Sequence, residues 1–147
     1  GNMIGYWKNP EATKECMNDE GWFRTGDLGK FEGPFLYILD RVKDIVIRGG
    51  ENIACPEVEG AIYEHDDILE ACVFGIPDER LGEVLCAAIY LREKSTLTID
   101  ELQSFLSTRL ASFKIPVIIK FYEDNLPRVG SGKFDKPSLR KQFIENM

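Results

Sequence analysis

The chain has 147 residues, 44% of them apolar and 29% charged, and 18 basic against 25 acidic side chains give it a net charge of −7. That composition suits one globular domain with a small appended piece, and the acidic balance argues against a general nucleic-acid binder. No apolar run is long enough for a transmembrane helix, and the opening Gly-Asn-Met-Ile-Gly-Tyr-Trp-Lys lacks a signal-peptide layout, so a cytoplasmic location is expected.

In chain order, Asn9 can cap a short helix with Pro10 at its first position, and Asn-Asp-Glu-Gly at residues 18–21 ends it. Residues 22–40 read as strands: Phe23-Arg24-Thr25, then 27–31, then a turn at Glu32-Gly33-Pro34, then 35–39 returning as a β-hairpin. Residues 40–53 are the stretch around which the rest is arranged. Asp40, Arg41, Lys43 and Asp44 crowd into five positions, Ile45-Val46-Ile47 follows as a β-branched strand signal, and Gly49-Gly50 opens a loop that a ligand can approach closely. A solvated strand edge with a tight turn is the alternative reading of the same residues.

Further on, Pro56 opens a helix with Val58, Ala61 and Ile62 on one face. Residues 68–76 read as a strand, 77–82 as a loop and 84–91 as a buried strand. Thr98 and Glu101 form a capping box, with Leu97 and Leu102 as a hydrophobic staple. Leu102, Phe105, Leu106 and Leu110 make that helix's inner face. Residues 117–122 are another strand, and Asp135 can cap a final helix bearing Leu139, Phe143 and Ile144. The fold class is α+β: a small C-terminal domain with a central, roughly three-stranded sheet flanked by helices, plus a β-hairpin. Residues 42–147 are expected to form that domain, and residues 1–41 read as the end of a larger N-terminal domain with its linker.

Four cysteines, Cys16, Cys55, Cys72 and Cys86, contain no C-x-x-C pair, and His65 is the only histidine. A tetrahedral zinc site and a histidine-based triad both lack support, and no metal ligands are assigned. Cys72 and Cys86 lie in apolar runs and read as small core residues, and His65 reads as the end of a helix. The last twenty residues hold Arg128, Lys133, Lys136, Arg140 and Lys141 against Asp135 and Glu145. A positive tail on an acidic body fits recognition of a small anion, and a solvated helix face accounts for it equally well.

Three motifs in order carry a resemblance: Gly21-Trp22-Phe23-Arg24-Thr25-Gly26-Asp27-Leu28-Gly29, the stretch 40–53, and Pro127-Arg128-Val129-Gly130-Ser131-Gly132-Lys133-Phe134-Asp135-Lys136. Together they resemble the last motifs of the adenylate-forming enzymes, which comprise acyl-CoA synthetases, peptide-synthetase adenylation domains and beetle luciferases. The resemblance implies the C-terminal fragment of an AMP-forming acid–CoA ligase. Such an enzyme joins acid and ATP into acyl-AMP and pyrophosphate, then passes the acyl group to CoA with release of AMP, and Mg²⁺ accompanies the ATP. Asp27 matches the ribose-binding aspartate, a charged acceptor for two hydroxyls, although a turn aspartate serving its own backbone reads the same. Arg41 matches a second nucleotide contact. Lys43 matches the hinge about which the C-terminal domain turns. For Arg41 and Lys43 the alternative is a surface ion-pair cluster.

Gly49, Gly50, Glu51 and Asn52 match the loop lining the pantetheine tunnel. Lys133 matches the catalytic lysine of adenylation, a mobile ammonium set between carboxylate and phosphate. Its surroundings are not a Walker loop. The family's Ser/Thr/Gly-rich phosphate loop has no counterpart in these residues, so the isolated chain is expected to be inactive without its large N-terminal partner domain. Phe74-Gly75-Ile76-Pro77-Asp78 and Phe134-Asp135-Lys136 look more like fatty-acyl ligases, which points to fatty acid metabolism. Two other readings stay open: a free-standing binding module for a pantetheine arm or carrier protein, and an adenylation domain that loads a carrier protein.

Overall fold

Asn9 and Pro10 start the first helix, α1 (Pro10–Cys16): the Asn9 Oδ1 accepts the Ala12 N–H at 3.0 Å, and proline, lacking an N–H, sits where none is needed. This is a computed structural model that describes residues 3–145; the side chains of Leu39 and Asp40 lie outside the description, and with them the Asp40 part of the charged cluster. Strands β1 (Asp27–Glu32) and β2 (Phe35–Arg41) form the expected antiparallel hairpin, from Asp27↔Arg41 to Glu32↔Phe35. Phe23-Arg24-Thr25 is not a strand. Gly21 and Gly26, at φ +82° and +74°, turn the chain on either side, leaving one isolated bridge between Met17 and Phe23.

By its internal contacts the chain divides into two compact units, Gly1–Lys43 and Asp44–Met147, joined through a 3-10 turn at Val42–Asp44. No described side chain of the first unit is buried.

The second unit is built on one five-stranded sheet. Strands β3 (Val46–Arg48) and β4 (Glu51–Ile53) make a short hairpin, and helix α2 (Cys55–Tyr63) follows. Strands β5 (Ile68–Asp78) and β6 (Gly82–Leu91) pair antiparallel along their length. Helix α3 (Ile99–Ser107) carries the chain over to β7 (Ile118–Tyr122), which pairs parallel with β6. The three expected strands are thus β5, β6 and β7, and the β3–β4 hairpin joins β6 through the pair Arg48↔Gly82. Helix α4 (Lys136–Glu145) ends the described chain, with Asp135 accepting the Ser138 N–H at 3.1 Å.

Both faces of the sheet are covered, which explains why β5 and β6 read as continuous apolar runs. Ala71, Val73, Leu85, Ala87 and Ile89 face α2 and α3 with Val58, Ile62, Leu102 and Leu106. Cys72, Phe74, Ile76, Cys86 and Ala88 face α4 with Leu139 and Phe143. Each large side chain among them contributes about 1.5–3 kcal/mol by leaving water. The capping box at Thr98 and Glu101 is formed. Ile144, expected to pack inward, is half exposed, because Leu139 and Phe143 already fill the inner stripe of α4. His65 lies just beyond α2 and meets Phe105 edge-on at 4.9 Å between ring centres.

Strand β5 is an edge strand, and side chains close its open edge. The Tyr63 hydroxyl accepts the Ala71 N–H at 2.9 Å, Glu59 accepts the Val73 N–H at 2.8 Å, and Pro77 has no N–H to offer. Such capping removes a template for pairing with another chain. Gly75 has a different reason for its identity: a Cβ there would come within 2.9 Å of the Val46 side chain. No described helix is long and apolar enough to cross a membrane.

Candidate functional site

Asp27 and Arg41 face each other as the last register pair of the β1–β2 hairpin, and their side chains form an ion pair at 3.3 Å. Gly26 turns the backbone into β1, and the Thr25 hydroxyl accepts the Asp27 N–H at 3.1 Å. The Gly26 carbonyl accepts the Val42 N–H at 2.8 Å, which fixes the chain's exit from β2. A carboxylate and a guanidinium are therefore presented together at one end of the hairpin, both partly open to solvent, an arrangement that can accept from hydroxyls and donate to oxyanions. Lys43 is exposed on the 3-10 turn where the first unit ends.

Gly49 and Gly50 form the two-residue turn of the β3–β4 hairpin, at φ +60° and +90°. Two consecutive left-handed residues are what a tight hairpin turn of this kind requires, and glycine supplies them without a Cβ penalty. The stretch is therefore not an open loop. Glu51 and Asn52 pair with Arg48 and Ile47 as the second arm of a hairpin, and the pair of glycines is curled instead of extended. All four residues are exposed. A Cβ on Gly50 would meet no atom within 4 Å, so that side of the turn is open to approach. The hairpin is tied down at its base: the Leu81 carbonyl accepts the Gly49 N–H at 2.8 Å, Glu83 Oε2 accepts the Ile47 N–H at 2.7 Å, and Arg48 donates to the Phe113 carbonyl at 2.8 Å.

Lys133 sits on a second tight turn. Arg128 and Phe134 bridge, the Lys133 carbonyl accepts the Val129 N–H at 2.9 Å, and the Val129 carbonyl accepts the Gly132 N–H at 2.8 Å. Gly132, at φ +83°, closes the turn. The Lys133 side chain is exposed, and it takes part in none of the ion pairs formed among the described residues. Among the described residues, no group of three or more His, Cys, Asp or Glu side chains is placed to hold a metal.

The two turns stand at opposite ends of the β5–β6 hairpin. The diglycine turn is attached where β5 passes into β6, through Leu81 and the Arg48↔Gly82 pair. The Lys133 turn is attached near the start of β5, through the Arg128–Glu70 ion pair at 2.7 Å. Glu70 and Asp78 lie eight positions apart on β5, so the two attachments are roughly 27 Å apart at about 3.4 Å per residue.

Sequence reasoning passed over the carboxylates that hold these turns, Glu70 and Glu83. The one signal available was a charged residue at each margin of the two apolar runs, Glu70 before Ala71 and Glu83 before Val84. Their partners are distant in sequence, so spacing alone could not assign them.

Comparison with known proteins agrees with this architecture. Over 142 residues the chain is 43% identical to the feruloyl-CoA synthase of an Amycolatopsis species, covering 96% of this chain and 28% of that protein. It is 40% identical to a mitochondrial medium-chain acyl-CoA ligase of Danio rerio, covering 95% of this chain and 23% of that one. Among solved structures, ATP-bound MatB from Rhodopseudomonas palustris matches with a TM-score of 0.88 and 37% identity over 95% of this chain and 28% of its own, and apo MatB matches over the same shares with a TM-score of 0.71. The chain thus spans about a quarter of the length of the proteins it matches. Residues 57–133, more than half of the chain, match the family model described as the AMP-binding enzyme C-terminal domain, and to that family this chain belongs.

Proposed function

We propose that this chain is the C-terminal part of an AMP-forming acid–CoA ligase, in which Lys133 serves the adenylation step and the diglycine hairpin serves the thioester step. The observation that carries the reading is the placement of the two turns. One rigid sheet bears an exposed ammonium at one end and an exposed glycine turn at the other, with attachments about 27 Å apart. Neither turn can stand at a shared reaction centre while the other does. In this reading the domain formed by residues 42–147 turns between the steps, and the exposed 3-10 turn at Lys43, at the boundary of the two units, supports a hinge there. A hinge of this kind needs only a few residues that absorb a backbone change. The TM-scores of 0.88 and 0.71 also mean that the ATP-bound and apo forms of MatB differ from each other over the matched region.

In the first step Asp27 would accept the ribose hydroxyls and Arg41 would donate to the nucleotide's oxygens, each through a charged group already held by its neighbour across the hairpin. Lys133 would set its ammonium between the attacking carboxylate and the α-phosphate, lowering the repulsion between two anions as charge shifts onto the in-line oxygens. Mg²⁺ would arrive with ATP. In the second step Gly49 and Gly50 would let the pantetheine arm of CoA pass close to the backbone, with Glu51 and Asn52 beside it. Residues 1–41 would belong to the large domain that supplies the acid pocket. Relatives named for feruloyl and medium-chain acyl substrates match at 43% and 40% identity, which fits an acid specificity set outside this chain. The reading carries with it a cytoplasmic location.

The test uses the full-length enzyme that contains this chain. Lys133→Ala should lower pyrophosphate release from acid and ATP by about 10²–10³-fold, the cost of losing one donor aimed at developing charge. Thioester formation from supplied acyl-AMP and CoA should stay within about twofold of the parent, since the rate follows only the groups present in that transition state. Equal loss of both steps would overturn the assignment of Lys133.

A further inference from the structure

We infer that Arg128, held by Glu70, is the positioning residue for the Lys133 ammonium; this rests on the adenylation role proposed above. One side chain grips the residues on both sides of Lys133. The Arg128 guanidinium donates to the Gly132 carbonyl at 2.7 Å, on the residue before, and lies 4.2 Å from the centre of the Phe134 ring, on the residue after. Its other branch is paired with Glu70 Oε1 at 2.7 Å. Glu70 is the fixed end of the brace. Its side chain is only 16% exposed, it belongs to β5, and its second oxygen accepts the Leu126 N–H at 2.7 Å, which ties down the entry to the same loop.

The turn has few other supports. Residues 129–133 are all exposed, and they include Gly130, Ser131 and Gly132. Beyond the brace, the turn has its internal Val129–Lys133 and Val129–Gly132 bonds and a closing bond from the Asp135 N–H to the Pro127 carbonyl at 2.8 Å. Those bonds set the shape of the turn; the Arg128–Glu70 pair, together with Phe134 packed against the core on the α4 face, sets its direction relative to the sheet. Direction matters because a lysine stem is flexible and its root must be aimed, and a misplacement of about 1 Å at a reacting centre costs on the order of 10²-fold. Arginine is the residue type this demands. Its planar fork can serve Glu70 and the Gly132 carbonyl at once and stack on Phe134, whereas a lysine has one point of charge and no flat face. Arg128 is 43% exposed at its side chain, so the pair adds little to global stability, and its contribution should appear in turnover.

The experiment compares Arg128→Ala, Arg128→Lys, Glu70→Gln and Lys133→Ala in the full-length enzyme. It reads pyrophosphate release from acid plus ATP, and separately thioester formation from the acyl-AMP of that acid plus CoA. Arg128→Ala should lower kcat of the first step by about 10–10²-fold with KM for ATP within about twofold, and leave the second step within about twofold. Arg128→Lys should recover less than half of the loss on a logarithmic scale. Glu70→Gln should lower the first step in the same selective way, and combined with Arg128→Ala it should add less than its separate effect, as two members of one brace do. A selective loss in Arg128→Lys or Glu70→Gln supports the inference even where Arg128→Ala does not fold. Equal loss of both steps in the folded variants, or full adenylation by Arg128→Ala and Glu70→Gln while Lys133→Ala is inactive, overturns the inference and leaves the role of Lys133 standing. Full adenylation by Lys133→Ala overturns that role and the inference with it.

Discussion

The two units of this chain use the same kinds of residue in opposite ways. In the second unit the aromatic and branched side chains disappear into two cores, one on each face of a five-stranded sheet. In the first they stay outside: Trp7 is 88% exposed, Trp22 72% and Phe31 73%, and Phe35, Leu36, Tyr37 and Ile38 follow them along β2. A two-stranded ribbon with a seven-residue helix has no inner face on which to bury them. The lesson is that apolar content does not by itself give a core. It needs a second layer, and only the second unit has one. That exposure fits the reading proposed above, in which residues 1–41 belong to a larger domain.

The largest effect should come from separating the two. A polypeptide of residues 44–147 should unfold in one cooperative transition, with an enthalpy of about 70 kcal/mol at its midpoint for a domain of this size. A peptide of residues 1–43 should show none, since a chain of about 40 residues without disulfide or metal rarely closes a core. Differential scanning calorimetry of both pieces decides it. A cooperative transition in the short peptide would break the contrast at its root.

Cysteine chemistry sharpens the same contrast. Cys16, in the first unit, is partly exposed, and its thiol donates to the Thr13 carbonyl at 3.3 Å. Cys55, Cys72 and Cys86 are buried in the second. Burial pushes the Cys72 thiol up to about 12, against the pull of the nearby Lys136 ammonium, and pushes Cys86 up to about 12 as well. At pH 8 a disulfide reagent should label Cys16 ahead of Cys72 and Cys86, because both of those thiols are buried and hold little of the attacking thiolate. The thiols at 72 and 86 have folded values above their unfolded ones, so the stability they contribute is complete below pH about 9 and is lost as the pH climbs toward 12. Alkylation rates and thermal unfolding across pH 7–11 check both statements. Rapid labelling of Cys72 in the folded chain would show that the core is not closed.

Much of this was legible in the sequence where the signal is local. The Asn9 and Thr98 caps, the strands at 68–76 and 84–91, and the α+β class all follow from neighbours a few residues apart. The second arm of the diglycine hairpin was not legible. Glu51-Asn52-Ile53 has weak strand propensity, and it is held as a strand by Val46, Ile47 and Arg48 opposite. Phe23-Arg24-Thr25 failed in the other direction: its apolar pattern suits a strand, but no partner strand lies beside it. At the candidate site the motifs named the exposed residues, Lys133 and the glycines. The braces behind them, Arg128 on Glu70 and Ile47 on Glu83, join residues 58 and 36 positions apart. A contact of that span leaves no periodic trace.

The smallest stability effect is expected where the first unit looks most like a designed structural feature, the Asp27–Arg41 pair. Its geometry invites a structural reading, because the two residues are direct partners across the hairpin and their side chains meet at 3.3 Å. Magnitude argues otherwise. The Arg41 side chain is 54% exposed, and ion pairs open to water contribute about 0–1 kcal/mol, less as salt screens them. Stability therefore gives little reason for the pair, while the ligand role proposed above needs groups that solvent can reach. Asp27→Asn and Arg41→Gln should therefore move the unfolding midpoint of the full-length enzyme by no more than a degree or two, on the order of a 0.5 kcal/mol surface change. The same variants should weaken AMP binding by about 10-fold or more for each charged hydrogen bond lost, measured by titration calorimetry. A drop of several degrees with unchanged AMP affinity would assign the pair to the hairpin and remove it from the site.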